Sequence, residues 1–179
     1  MNEQVTLEEA VNLAAVDSAF YSSTFFPHTA RQKSPPFHKE MDEVLELPAN
    51  RYVAFEVFRG GAKTSKLRLF TSKRIAYGIS KTVLIIGKSQ EHAVASVKWI
   101  MYQVEHNRLW AQTFNLKKGK KWTESHIEII HGTDEYVITI KALGIGGSIR
   151  GVLEGDWRPD LIILDDPCDE ENTATPESR

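Results

Sequence analysis

The chain is poor in cysteine, lacks any long apolar run and carries almost no net charge, and each shortage excludes a class of protein. The single cysteine, Cys168, permits neither an internal disulfide framework nor a multi-cysteine zinc site. No stretch approaches the ~18 consecutive apolar residues of a membrane span. The acidic N-terminus lacks the basic and apolar regions of a signal peptide. We therefore expect a protein of a reducing, cytoplasmic compartment with no membrane partner.

Net charge is low because 22 basic residues nearly balance 24 acidic ones, which leaves −2 over 179 residues. This balance excludes a generally polybasic nucleic-acid binder. The distribution is uneven, however. Residues 57–90 contain eight Lys or Arg and no carboxylate, whereas residues 165–179 contain six carboxylates and one Arg. Such blocks are typical of solvated surfaces, but a fold can also bring them together around an anion and its metal.

Apolar periodicity predicts an α/β protein in which helices and strands alternate. Helical patterns occur at residues 6–20, 37–47, 63–79 and from Ser89 onward. Strand patterns occur at residues 52–58, 82–86, 126–131, 136–141 and 161–164, the third and fourth as a hairpin. Loops are predicted at residues 22–37 and 107–125. Because two of the strand patterns are wholly apolar, as in strands buried on both faces, we expect a parallel sheet flanked by helices.

A glycine-containing segment over residues 57–65, VFRGGAKTS, is similar to the phosphate-binding loop pattern GxxxxGK[ST]. Lys63 and Thr64 match the pattern, whereas Val57 and Ala62 stand where its first and second glycines belong. In such a loop the backbone N–H groups face a phosphate, the lysine reaches the β- and γ-phosphates, and the hydroxyl holds Mg²⁺. An ordinary glycine turn before a helix is the alternative interpretation.

A second motif closes the apolar segment 161–164, which ends in Asp165 and Asp166. Carboxylates at the end of a strand suit Mg²⁺ ligation and the orientation of an attacking water. A buried strand that ends in a polar turn has the same pattern. Because the two motifs occur in this order, one between a strand and a helix and the other at a strand end, the sequence favours a P-loop ATPase.

VFRGGAKTS resembles the Walker A segment of the large subunit of viral terminases, the motors that pack DNA into bacteriophage heads. Residues 148–151 and 158–166 resemble the same family's IRG and RPDLIILDD segments, which lead into Walker B. The resemblance extends over roughly residues 24–173 and implies a RecA-like P-loop fold of the ASCE type. It also implies a helical and arm segment over residues 1–50 and an ATPase core over residues 51–179. That core would be truncated after the Walker B strand and would lack the nuclease domain.

The resemblance also assigns site residues. The nucleotide loop would comprise Gly60, Gly61, Ala62, Lys63, Thr64 and Ser65. Lys63 would contact the β- and γ-phosphates of ATP, and Thr64 and Asp165 would hold Mg²⁺. Arg59 is a candidate arginine finger, with a surface role as the alternative. Terminases usually have a catalytic Glu where this chain has Asp166. The Asp side chain is one methylene shorter, so Glu170 and Glu171 stay open as alternatives for that catalytic role.

The implied function is an ATPase motor that packages double-stranded DNA into proheads in the host cytoplasm. Its partners would be the small terminase subunit and the portal, and it would form a homo-oligomer when assembled. A nucleotide-binding module without turnover, or another P-loop enzyme such as a helicase, stays open. Two further segments have weaker assignments. His28, Arg31 and Gln32 are loose candidates for adenine contact, and the lysines of residues 117–121 could meet DNA phosphates or form a solvated loop.

Overall fold

The computed structural model describes residues 6–29, 34–133, 135–147 and 158–167. Within these residues the elements are α1 (Leu7–Val16), α2 (Ser18–Phe25), α3 (Pro36–Glu46), α4 (Lys63–Ala76), β1 (Thr82–Gly87), α5 (Gln90–His106), α6 (Arg108–Thr113), β2 (Leu116–Thr123), β3 (His126–His131), β4 (Tyr136–Gly144) and β5 (Leu161–Asp165). The chain divides into two compact units, Met1–Tyr77 and Gly78–Arg179, and each is described by itself. The division at residue 50 that the resemblance implies stays a prediction.

The first unit is built from helices. A capping box starts α1, because Thr6 Oγ1 accepts the Glu9 N–H at 3.2 Å while the Thr6 N–H donates to Glu9 Oε2 at 2.8 Å. The single helix predicted over residues 6–20 is wrong, since Asp17 interrupts it. The Asp17 carboxylate caps α2 by accepting the Ala19 and Phe20 N–H groups. The helices predicted from residues 37 and 63 are confirmed as α3 and α4.

Polar contacts join helix α4 to helices α3 and α1 within the first unit. Lys66 Nζ donates to Asp42 Oδ2 at 2.6 Å, and Lys73 Nζ lies 2.9 Å from Glu46 Oε1. Both lysines are buried and both carboxylates belong to α3. At the end of α4, the Tyr77 hydroxyl donates to the Val11 carbonyl at 2.7 Å. Helices α1 and α3 are therefore both joined to α4.

The strand predicted over residues 52–58 is wrong, because residues 53–58 adopt no regular secondary structure and the sheet is built from other segments. The side chains of Val53, Phe55 and Val57 are half buried, whereas the residues between them are exposed. The segment thus keeps the two-residue period of a strand. Among the described residues it has no hydrogen-bonded neighbouring strand, and only such a neighbour makes an extended segment part of a sheet.

The second unit contains a five-stranded mixed sheet in the order β2-β3-β4-β1-β5. Strand β1 pairs in parallel with β4 on one side and β5 on the other, whereas β2, β3 and β4 pair antiparallel. The α/β class is therefore confirmed, and parallel pairing is confirmed for β4, β1 and β5, whereas the sheet as a whole is mixed rather than parallel. The short β2–β3 and β3–β4 connections can join only antiparallel neighbours, since parallel strands need a longer crossover.

The loop predicted over residues 107–125 is also wrong, because this segment forms α6 and the edge strand β2. The lysines of β2 interrupt the apolar alternation by which a strand is predicted from sequence. Lysine is nevertheless common on edge strands, where it discourages pairing with other chains. The remaining strand predictions are confirmed as β1, β3, β4 and β5. The expected burial of β5 on both faces is wrong, since Ile162 and Leu164 are 50% and 53% exposed.

The core of the second unit lies where α5 packs on the sheet. Helix α5 starts at the Ser89 N-cap, as predicted, and buries Ala93, Val97 and Ile100. Strands β3 and β4 contribute buried residues at alternate positions, among them Ile127, Ile129, Ile138 and Ile140, whereas β1 is buried continuously from Val83 to Gly87. Within the described part of the chain, no helix is both long and apolar enough to cross a bilayer.

Candidate functional site

The predicted phosphate loop forms a tight turn that runs directly into α4. The Gly61 N–H donates to the Phe58 carbonyl at 3.0 Å and closes the turn. Gly60 (φ +88°) and Ala62 (φ +59°) have positive φ, whereas Gly61 between them does not, and Lys63 begins the helix. Positive φ at alternate residues curls the backbone, as in anion-binding nests, although the Gly61 N–H itself is engaged by the Phe58 carbonyl.

The glycines of this turn are required by space and by conformation. A Cβ on Gly61 would lie 2.4 Å from Val57 Cγ1 and 3.1 Å from the Phe58 carbonyl oxygen. Gly60 has open space around it but a positive φ, which side chains disfavour. Ala62 occupies the left-handed region with a side chain, at a cost of about 1–2 kcal/mol. The phosphate-loop pattern has glycine at this last position, so the observed backbone explains that preference.

Two side chains of helix α3 contact the loop and help to position it. His38 Nε2, in the tautomer that carries its proton there, donates to the Gly61 carbonyl at 2.9 Å. The neighbouring Phe37 ring packs edge-on against Phe58 with 5.5 Å between centroids. The sequence analysis did not identify His38 as a site residue. It is 23 residues away from Gly61 along the chain, and no motif links the two.

The first turn of α4 carries the residues that the motif predicts for phosphate and metal. Lys63, Thr64 and Ser65 are half buried there, and Arg59 is exposed in the turn before them. The first turn contains no acidic residue, and the N-cap Ala62 has no side-chain oxygen with which to cap it. The positive end of the helix dipole is thus not offset by an acidic residue of its own first turn, which favours an anion.

Two of the basic residues in the carboxylate-free block serve the fold rather than this loop. Lys66 and Lys73 point to α3, where they pair with Asp42 and Glu46. Burial raises the pKa of the Asp42 carboxyl above its ordinary value, and the hydrogen bond from Lys66 opposes that rise. The charge block of the sequence is therefore divided between structural ion pairs and residues at the loop.

The predicted carboxylates lie in the second unit, at the carboxyl end of β5. Asp165 is half buried and stands in register with Gly87, the last residue of β1. Asp166 is exposed and has a left-handed backbone (φ +47°), which aspartate tolerates better than most residues. The carboxyl ends of β4, β1 and β5 meet at this edge, and open α/β sheets bind ligands at such edges.

The same edge is shaped by a close approach of α5. A Cβ on Gly87 would lie 2.9 Å from the Ala93 nitrogen, and one on Gly144 would lie 2.7 Å from the Gln90 nitrogen. The Gln90 amide donates to the Ala142 carbonyl and accepts the Gly144 N–H, each at 3.0 Å. Gln90 thereby fastens the start of α5 to the end of β4. The sequence analysis did not identify this residue either, because its partners are more than 50 positions away.

Several predicted residues lie outside the described part of the chain, namely Arg31, Gln32, residues 148–151, Cys168, Glu170 and Glu171. His28 is described and lies exposed in the turn after α2. Within the described residues, no group of three or more His, Cys, Asp or Glu side chains forms a metal-binding cluster. The structure therefore places the loop residues together in the first unit and the two aspartates together in the second.

No family model matches the chain, and neither does any curated protein or any solved structure.

Proposed function

We propose that this chain is the ATP-binding and ATP-hydrolysing part of a DNA-packaging motor of the terminase large-subunit type, with a P-loop, RecA-like core. The observation that carries the ATPase proposal is the turn at residues 58–62, whose alternating φ leads directly into a helix that starts with Lys63 and Thr64. The mixed sheet, with three parallel strands that include β5, is compatible with such a core. The packaging role relies on the resemblance of VFRGGAKTS and RPDLIILDD to terminases.

The loop residues have distinct roles in this proposal. Backbone N–H groups of Gly60 and of Ala62 to Ser65 would surround the phosphates of ATP, with Gly61 closing the turn, and the Lys63 ammonium would neutralise charge on the β- and γ-phosphates. Arg59 is exposed in the same turn, so its guanidinium can reach a phosphoryl group in this subunit or in a neighbouring one. An arginine at that place stabilises the charge that develops in the transition state.

The residues present are compatible with Mg²⁺. Thr64 and Asp165 offer a hydroxyl and a carboxylate oxygen, the ligand types that Mg²⁺ prefers, and this ion usually takes few ligands from protein and keeps several waters. Both side chains are half buried, which limits their rotamers while leaving them access to solvent. When bound, Mg²⁺ would offset phosphate charge. Asp166, exposed at the end of β5, would orient a water and accept its proton.

ATP binding and steady-state ATP hydrolysis by the full chain and by Lys63→Ala test the proposal. We expect Lys63→Ala to lose both, because the lysine charge on the phosphates disappears. Lys39→Ala removes a lysine that is 82% exposed on α3 and provides the matched control. Unchanged hydrolysis in Lys63→Ala would contradict the assignment. Tight ATP binding without turnover in the unmodified chain would instead support a nucleotide-binding module.

The proposed partners are double-stranded DNA, a small terminase subunit and the portal of the prohead, with further copies of this chain in the assembled motor. These assignments come from the resemblance. Stimulation of ATP hydrolysis by double-stranded DNA would support the motor, whereas DNA unwinding without a packaging partner would favour a helicase.

A further inference from the structure

The edge strand β2 presents lysines that the proposed ATPase site does not use. Four of its eight residues are lysines, and all four are exposed: Lys117, Lys118, Lys120 and Lys121. Within the described residues β2 has a paired strand, β3, on one side only. These four residues are called the lysine edge below. Their exposure is either a by-product of the fold or the basis of a binding surface.

A bulge and the edge position of β2 together expose the lysine edge. The pairing of β2 with β3 shifts between Lys118 and Trp122, so that three residues of β2 face one residue of β3. Gly119 lies in this bulge, where a Cβ would be 2.6 Å from the Glu128 carbonyl oxygen. Lys120 and Lys121 lie in the bulge too, where the alternation of a regular strand is interrupted. Lys117 and Lys118 precede it in regular register with β3, and all four lysines are exposed.

Three carboxylates lie beside the lysine edge: Glu128 Oε2 accepts the Lys121 backbone N–H at 3.2 Å, and two others pair loosely with lysine side chains. Glu135 Oε1 lies 3.5 Å from Lys117 Nζ, and Glu105 Oε1 lies 3.7 Å from Lys118 Nζ, all on exposed side chains. Ion pairs of this kind are weak and are screened by salt, so a polyanion can replace them. In the part of the chain that the structure describes, Lys120 has no ion pair.

The aromatic residue of β2 favours contact with a duplex over contact with a single strand. Trp122 Nε1 donates to Glu105 Oε1 at 2.9 Å, and Lys118 Nζ lies 5.2 Å from the Trp122 ring centroid. This ring is half buried and already engaged. Proteins that bind single strands stack bases on free aromatic rings, whereas lysines alone address the phosphate backbone.

We propose that the lysine edge binds the phosphate backbone of double-stranded DNA. The choice of DNA as the polyanion rests on the proposed packaging function, whereas the surface itself is argued from the bulge and the exposed charges. Binding of this kind carries no base-sequence preference, because phosphate contacts do not read bases. It also requires no nucleotide, so it can be measured separately from ATP hydrolysis.

Fluorescence polarisation of a short labelled duplex, titrated with the full chain at several salt concentrations without ATP, tests the inference. We compare the double variant Lys117→Gln/Lys120→Gln with Lys39→Gln/Arg51→Gln, which removes two exposed positive charges from the first unit. We expect the first to weaken binding roughly tenfold and to reduce the salt slope by about 2, since each lost phosphate contact removes about 0.9. The control pair should leave both quantities unchanged.

Several results would overturn the inference. These are failure of the full chain to bind the duplex, equal weakening by both double variants, and equal affinity for polyglutamate. Self-association of Lys117→Gln/Lys120→Gln with unchanged DNA affinity would show instead that the lysines protect an open sheet edge. Lys63→Ala separates the two proposals. If it keeps both DNA binding and ATP hydrolysis, the role assigned to Lys63 fails and the lysine edge stands.

Discussion

Helix α4 and strand β2 are both rich in lysine, yet the protein uses these lysines in opposite ways. In α4, Lys66 and Lys73 are 7% and 2% exposed, and each reaches a carboxylate of α3. In β2, all lysines are exposed, and the ion pairs of Lys117 and Lys118 are 3.5 Å and 3.7 Å long. A run of positive charge in a sequence therefore does not identify a ligand surface until the burial of each side chain is known.

The physical difference is desolvation. A buried ammonium must find a carboxylate, because leaving it unpaired in a medium of low polarity is strongly unfavourable. The carboxylate is affected as well, and burial raises the pKa of Asp42 despite its contact with Lys66. An exposed lysine keeps its hydrating water, so its pairing with a nearby glutamate changes the free energy of unfolding only slightly. Breaking one pair of each kind measures the contrast.

The largest effect is expected from Asp42→Asn. This change keeps the shape of the side chain but leaves the buried Lys66 ammonium without its opposite charge, which destabilises the fold by about 3–5 kcal/mol. Chemical denaturation monitored by circular dichroism would measure the loss. Glu43→Gln on the same helix is the matched control, because Glu43 is 63% exposed and lies 3.7 Å from the exposed Lys39. We expect a change of about 0.5 kcal/mol or less there, and equal losses in the two variants would refute the contrast.

Much of this fold can be predicted from local sequence. The capping box at Thr6, the Ser89 cap, the apolar run of β1 and the β3–β4 hairpin each act over a few residues, and each is present as expected. The errors have a different origin. Residues 52–58 have a strand pattern but no neighbouring strand, and β5 is apolar but lies at an edge, so both depend on pairing that no local pattern records.

The residues of the candidate site also differ in whether a local sequence pattern indicates them or tertiary contacts alone do. The phosphate-loop pattern locates the turn before α4 through Lys63 and Thr64, whereas its two glycine positions hold Val57 and Ala62, and the roles of these residues stay a prediction. No such pattern indicates His38 or Gln90, since each contacts backbone atoms far along the chain. In a sequence, a histidine in the first turn of a helix and a glutamine after a serine have the pattern of ordinary surface residues. Their roles arise only when tertiary contacts bring a distant carbonyl within reach.

A smaller effect is expected at the end of α4, where burial raises the pKa of Tyr77 to about 12. In the unfolded chain this phenol titrates near 10, so the folded state holds the proton more firmly. Its contribution to stability is complete below pH ~10 and is lost as the pH rises toward ~12. Tyr77→Phe should lower the free energy of unfolding by about 1 kcal/mol at neutral pH, since the bond to Val11 is lost.

The difference in stability between the unmodified chain and Tyr77→Phe should then shrink between pH 10 and pH 12, the interval between the two pKa values. Denaturation midpoints measured across this range would show it. Tyr52→Phe supplies the control, because Tyr52 is 97% exposed. A Tyr77→Phe difference that stayed constant through this range would mean that the hydroxyl contributes no pH dependence.

The smallest effect is expected from Lys117→Gln in β2. The ion pair with Glu135 is 3.5 Å long and joins two side chains that are 57% and 65% exposed, so its loss should change the free energy of unfolding by less than about 0.5 kcal/mol. Thermal and chemical denaturation would measure this change. A loss comparable to that of Asp42→Asn would mean that β2 depends on its lysines for folding, and the exposed charges would then need no ligand to explain them. A near-zero loss would mean that Lys117 contributes little to stability, so that its exposed charge is available for a ligand.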